Sequence, residues 1–369
     1  MSACFDALER SGIRFLEYGS TAIDAYRRIG PAPLKFVVVE AGIVELAKAL
    51  DPLEFPGLPY ADAAIREAGA AEPAIRFLCV DSLEATGLGA GLAADFRRDP
   101  RSGFFHDPTG IYPLLRKGNY PAVDPSRPGA LFEAAILAAR AGDAENEPPP
   151  EAYARPGSVS AQQQKDLLTL ILTGPRPERG LDFLLRTGFA AEWWPELAAL
   201  ASVDHAKDHH PEGGGWAHTM ETFSHRKTAD LTLSLALLLH DTGKARSVSA
   251  EGRRFDKHAE IGALIASKFL ARLDFDADTI RDVTYMIRSH MLPAALPRLP
   301  LFRVGEVVAD PRFPLLLELY RCDEFSTFRG PEGYYDACAA YKAYLKNRKN
   351  PYRDDEGRKL GSNHMRMGD

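Results

Sequence analysis

"LTLSLALLLHDTGKARS", residues 231–247, is an apolar run that ends in His240 and Asp241, with Lys244 three residues beyond. An apolar helix of this kind forms a rigid, dry platform, so its end is withdrawn from water. An unpaired carboxylate placed there is costly, whereas a divalent cation beside it makes the arrangement favourable. Consecutive helical residues point about 100° apart, so His240 and Asp241 reach one ion only if it lies over the groove between them. The Thr242-Gly243 pair that follows is expected to end the helix.

Working outward, eight of the ten histidines lie between 205 and 290, under a quarter of the chain. Five residues or pairs follow in order at intervals of 18 to 33 residues: His218 in "GGWAHTMET", His240-Asp241, His258 in "FDKHAEIG", His290 in "IRSHM", and Asp323 in "LELYRCDEFS". Each lies in or at the edge of a separate helical segment, and a helix bundle can bring such residues to one interior point. Imidazole and carboxylate without thiolate suit a divalent transition metal, Mn, Fe, Ni, Co or Zn, as one or two ions. Asp310 in "VVADPRF" is a weaker candidate than Asp323, because it precedes a proline at a helix end. His225, seven residues after His218 and near the same helix face, is read as facing substrate. His205, His209 and His210 in "VDHAKDHHPEGGG" are read as solvated loop residues at the rim.

The 369 residues exceed what one core usually organises, so two or three domains are expected. With 45% hydrophobic and 26% charged residues the chain is an ordinary globular protein. A net charge of −6 argues against a surface that coats polyanions. Cys4, Cys79, Cys322 and Cys338 form no CxxC pair and are read as free thiols, mostly buried. The start "MSACFDALERSGIRF" leaves no room for a signal-peptide core, and no apolar stretch reaches 18 residues, so a cytoplasmic protein without membrane contact is expected.

Up to about residue 125, β-like runs such as "LKFVVVEAG" (34–42) alternate with helical ones such as "IVELAKAL" (43–50), an α/β pattern. "LFEAAILAARAG" (131–142) is a helix closed by glycine, and "GDAENEPPPEAYARPGS" (142–158) reads as an exposed connection of low structural content. Beyond it the spacing of apolar residues is helical throughout, down to a polar tail at 346–369.

The order H…HD…D, with HDxGK closing an apolar helix, resembles the HD superfamily of metal-dependent phosphohydrolases. That resemblance implies a core metal site of His218, His240, Asp241 and Asp323, with Asp241 bridging if two ions bind. It also implies that His258 and His290 hold a second ion, and that Lys244 contacts phosphate beside the catalytic Asp241. The substrate would be a nucleotide or another small phosphoester.

The segment "SAQQQKDLLTLILTGPRPERGLDFLLRTGFAAEWWPELAAL" (160–200) resembles the helical neck of bacterial tRNA nucleotidyltransferases and poly(A) polymerases. Upstream, "EYGSTAIDAYRR" (17–28) resembles their GGxVRD turn, and "DFRRDPRSGFFHDPTGIYPLLRKG" (95–118) their RRDFTxNA segment. The departures are specific. The second glycine is Ser20, the arginine position is Ile23, and Pro100 follows Arg97-Arg98-Asp99 with no asparagine. Nucleotide transfer needs two carboxylates one residue apart on a strand, yet Glu40 is the only acidic residue in "LKFVVVEAG". The base-reading start of the neck has become "QQQKDLL". The resemblance therefore implies a degenerate α/β nucleotidyltransferase-like head at 1–125, an all-α neck at 126–200 and an all-α HD domain at 201–345. RNA is an expected partner of head and neck. Two other readings stand beside it: an active CCA-adding tRNA nucleotidyltransferase, and a non-catalytic RNA- or nucleotide-binding protein.

Overall fold

The structure, a computed structural model, describes residues 3–30, 33–66, 73–87, 95–203, 214–247, 257–327 and 330–348. His205, His209, His210 and most of the 346–369 tail lie outside the described residues. The chain divides into two compact units. The first runs to Pro195 and takes in Ala229–Leu231 and Ala271–Asp276; the second holds the remainder. Among the described residues, no helix is long and apolar enough to cross a membrane.

The first unit opens with α1 (Ala3–Arg10), β1 (Phe15–Tyr18), α2 (Ser20–Arg27), β2 (Lys35–Glu40) and α3 (Ile43–Ala49). Strands β3 (Ala63–Arg66), β4 (Pro73–Val80), β5 (Arg97–Arg98) and β6 (Phe105–His106) complete a six-stranded sheet of order β3-β4-β2-β1-β5-β6. Within this sheet, among the described residues, β2 and β4 are the one parallel pair, with Val37 opposite Phe77. The β-branched run of β2 favours the extended chain. Val37 and Val39 pack with Phe5, Leu8, Leu46 and Leu50, and the alternate residues Phe36 and Val38 are buried as well.

Helices α4 (Ala130–Arg140), α5 (Ala161–Leu172) and α6 (Pro177–Arg186) follow in the same unit. Two buried ion pairs tie them to the sheet region. Arg140 pairs with Asp24 of α2, and Arg76 of β4 meets Asp166 of α5 at 3.1 and 3.2 Å, where the Tyr60 hydroxyl also donates. Removing one partner of such a pair costs about 3–5 kcal/mol, because the other charge stays buried.

The stretch 142–158 carries more structure than its composition suggests. Asp143–Glu145 pairs in parallel with Asn119–Pro121 as a two-stranded ladder, and Tyr153 is buried edge-on against Phe183. The neighbour supplies what the sequence lacks: Gly142, at φ 128°, lies so close to the Gly118 carbonyl that a Cβ would fall 1.6 Å from its oxygen. The cysteines are thiols as expected, but only Cys322 is buried; the other three are half-buried.

In the second unit the site rests on α7 (Gly215–Ser224), α8 (Leu231–Leu239), α9 (His258–Arg272), α10 (Ala277–Ser289) and α11 (Phe313–Phe325). Leu233, Leu235, Leu237, Leu238 and Leu239 of α8 are fully buried. Truncating any one of them would cost about 2–5 kcal/mol. The helix stops at Leu239, earlier than the Thr-Gly pair, and the chain turns through Thr242–Arg246 as a tight 3-10 turn. Close packing explains the early stop. A Cβ on Gly243 would lie 2.0 Å from the His258 carbonyl oxygen and 2.6 Å from the Gly262 nitrogen, so α9 rests directly on this turn.

Candidate metal centre

His240 and His290 occupy the same kind of position, each one residue past the last helical residue of α8 and α10. Helix ends leave backbone carbonyls without intrahelical partners. His240 Nδ1 donates to the Leu237 carbonyl at 2.8 Å, and His290 Nδ1 donates to the Ile287 carbonyl at 2.7 Å. Each bond places the proton on Nδ1 and turns the Nε2 lone pair inward, as a metal-ligating histidine requires. Burial first, then the neighbouring His240, pushes the His290 imidazole down to about 4, so it is neutral at pH 7.

Around these two rings the six side chains come together as two groups of three. His218, His240 and Asp323 form one, and Asp241, His258 and His290 the other, with the donor atoms of each group within 4.8 Å of one another. Among the described residues no other cluster of this kind occurs. His218 Nε2 lies 3.0 Å from Asp323 Oδ1, and His258 Nε2 lies 3.1 Å from His290 Nε2. Two donors each about 2.1 Å from one ion and at right angles to each other would be about 3.0 Å apart.

Asp241 stands between the groups. Its Oδ2 is 3.4 Å from His240 Nε2 and 3.7 Å from His218 Nε2, while its Oδ1 is 3.8 Å from His258 Nε2. The adjacent His240 and Asp241 therefore belong to different groups, joined through this carboxylate. Burial alone would raise the Asp241 carboxyl, but His240, Lys244 and His218 beside it hold it well below the usual carboxylate range. The Asp323 carboxyl is displaced in the same direction: burial opposes ionisation, and the hydrogen bond and positive charge that His218 and His240 offer when protonated outweigh it. Lys244 Nζ is 2.6 Å from Asp241 Oδ2.

The fit to metal rests on two atoms. His240 Nε2 and Asp241 Oδ2 are fully buried and make no hydrogen bond, and the Lys244 ammonium meets the latter as an ion pair only. Buried polar atoms are ordinarily hydrogen-bonded, so the orphaned His240 Nε2, 3.4 Å from the Asp241 carboxylate, marks a place for a cation. Nitrogen and oxygen donors without sulfur suit Mn, Fe, Co, Ni or Zn.

Two other acidic and basic candidates lie elsewhere. His225 caps α7 with its Nε2 3.4 Å from Glu221 Oε1 and its ring against Phe325, outside both groups. Both Asp310 oxygens accept from Arg312, at 2.8 and 2.6 Å, which leaves Asp323 as the carboxylate brought to the centre. The helix-end carbonyls and the Gly243-Gly262 contact were not visible in residue spacing. The signal that exists is the placement of His240 and His290 just ahead of helix-breaking turns.

Residues 208–326 match the HD domain family. Over 205 residues the chain is 32% identical to the CC-adding tRNA nucleotidyltransferase of Thermus thermophilus, covering 53% of this chain and 46% of that protein. Over 182 residues it is 30% identical to the A-adding tRNA nucleotidyltransferase of Deinococcus radiodurans, covering 46% and 40%. The chain thus spans less than half the length of these relatives. Among solved structures, a tRNA-processing enzyme in its apo form is similar at 15% identity and a TM-score of 0.44, over 94% of this chain and 90% of its own. The Thermotoga maritima CCA-adding enzyme complexed with tRNA is similar at 13% identity and a TM-score of 0.41, over 99% and 85%.

Proposed function

We propose that this chain, which carries an HD domain, is a metal-dependent phosphohydrolase acting on a nucleotide or another small phosphoester. The observation that supports it most is the pair of His/Asp groups sharing Asp241, with His240 Nε2 and Asp241 Oδ2 left without hydrogen bonds. One or two divalent transition ions would be held by His218, His240 and Asp323 on one side and by His258 and His290 on the other, with Asp241 between. When bound, such ions supply Lewis-acid charge and lower the pKa of water towards about 7. Lys244 carries a positive charge to the same mouth and would meet the phosphoryl oxygens as their charge develops. The buried leucines of α8 keep bulk water from the inner face of the centre, which strengthens every charge interaction there.

The head is read as lacking nucleotidyl transfer. Glu40, the acidic residue of β2, is committed: Oε2 pairs with Arg14 at 2.8 Å and Oε1 accepts from the Leu83 N–H at 3.1 Å. In the neck, Gln164 accepts from Trp194 at 3.0 Å and Asp166 is enclosed by Arg76 and Tyr60, which leaves them no free edge for a base.

RNA binding by the head is a second reading with its own support. Tyr26, Phe96, Phe105 and Tyr112 form a contiguous ring cluster with centroids 5.2–5.9 Å apart, and Phe104 beside it is 72% exposed. Arg28, just past α2, and Arg116 and Lys117, in the short helix Tyr112–Lys117, are exposed. Rings flanked by cations are what a single strand stacks on, and the relatives above are named for tRNA.

Elemental analysis of the purified chain, coupled to a hydrolysis screen over nucleoside mono-, di-, tri- and cyclic phosphates with Mn, Ni, Co and Mg, tests the main reading. The expected outcome is retained transition metal and hydrolysis, both lost in His240→Ala and in Asp241→Ala. Full activity in either variant would sink it.

A further inference from the structure

His218 differs from His240 and His290 in one respect. It sits in the first turn of α7, four residues into the helix, rather than just past a helix's C-terminal end. Its Nδ1 instead lies 3.2 Å from the hydroxyl of Ser326, a residue 108 positions away at the C-terminal end of α11. That hydroxyl has one proton, and it donates it to the Asp323 carbonyl at 2.7 Å. With its proton committed, Ser326 Oγ accepts, so the proton between the two side chains belongs to His218 Nδ1. The Nε2 lone pair then faces Asp323 Oδ1 at 3.0 Å, an arrangement of two acceptors that a cation between them would satisfy.

We propose that Ser326 is a positioning residue of the metal centre: it holds His218 in the Nδ1-protonated form and at the angle needed to ligate, and through the Asp323 carbonyl it ties His218 to the residue that supplies the carboxylate of the same group. Helix-end carbonyls do this for His240 and His290; an imported hydroxyl does it for His218. The inference rests on the metal reading above. Ser326 and His218 are both buried, so the bond is shielded from competing water.

The test is a titration of the metal-stripped full chain with Mn(II) or Zn(II) alone, on the unmutated protein, Ser326→Ala and Ser326→Thr. Loss of a supporting hydrogen bond to a ligand typically weakens metal binding 10–100-fold. Ser326→Ala is expected to lose about that factor at one ion and leave the other unchanged, with the metal-free protein melting as before and Ser326→Thr restoring affinity. In the zinc-loaded unmutated protein, nitrogen-15 histidine spectra should show His218 protonated at Nδ1. If the unmutated chain takes up no ion, the metal reading itself fails. If it does, and Ser326→Ala binds both ions unchanged or His218 is protonated at Nε2, the positioning role alone is overturned.

Discussion

Lys244 is the residue whose role depends most on its surroundings. Its ammonium touches Asp241 Oδ2 at 2.6 Å, and its side chain is 13% exposed, so it borders both the carboxylate and the approach from solvent. If it serves the phosphoryl group, Lys244→Met should lower kcat/KM by about 100- to 1000-fold while metal content stays that of the unmutated chain. Loss of metal in this variant would make Lys244 a support for Asp241 instead. At this scale the ligand types were legible in the sequence, because imidazole and carboxylate announce their own chemistry. The groups that aim them were not: a carbonyl becomes available only where a helix stops, and Ser326 meets His218 only after 108 residues of chain have folded back.

The elements hold the centre through two glycines. Gly243 and Gly262 let the turn after α8 lie against α9, which carries His258 to within 3.8 Å of Asp241. A methyl group on Gly243 has no room at all, whereas one on Gly262 meets its nearest atom at 3.2 Å. Gly243→Ala should therefore destabilise by about 3 kcal/mol or more, and Gly262→Ala by clearly less, as read from denaturant unfolding. Equal losses would mean that the contact yields by a simple shift of α9. The apolar pattern of α8 made that helix readable in advance. Its end at Leu239 was not, since nothing in "HDTGK" reveals that another backbone will press on Gly243. The ladder at Asp143–Glu145 was hidden for a related reason: two acidic residues carry little strand preference, and the partner strand and Gly142 provide the pairing.

For the whole molecule, the proposed function puts hydrolysis in the second unit and no nucleotidyl transfer in the first. With Glu40 committed to Arg14 and Leu83, and both candidate ion-binding groups of the described residues in the HD domain, tRNA incubated with the full chain, CTP and ATP should gain no nucleotide. Glu40→Ala should leave hydrolysis unchanged. Incorporation of label into the tRNA 3′ end would restore transfer to the head. The α/β beginning, the helical remainder and the types of residue at the centre were determined by the sequence alone, because periodicity and side-chain chemistry are local properties. How the six side chains divide into two groups around Asp241, which nitrogen of each ring faces inward, and which acids are already neutralised by buried arginines were decided only by the tertiary structure. Those features depend on distances between segments far apart in the chain, and on where packing lets each helix end.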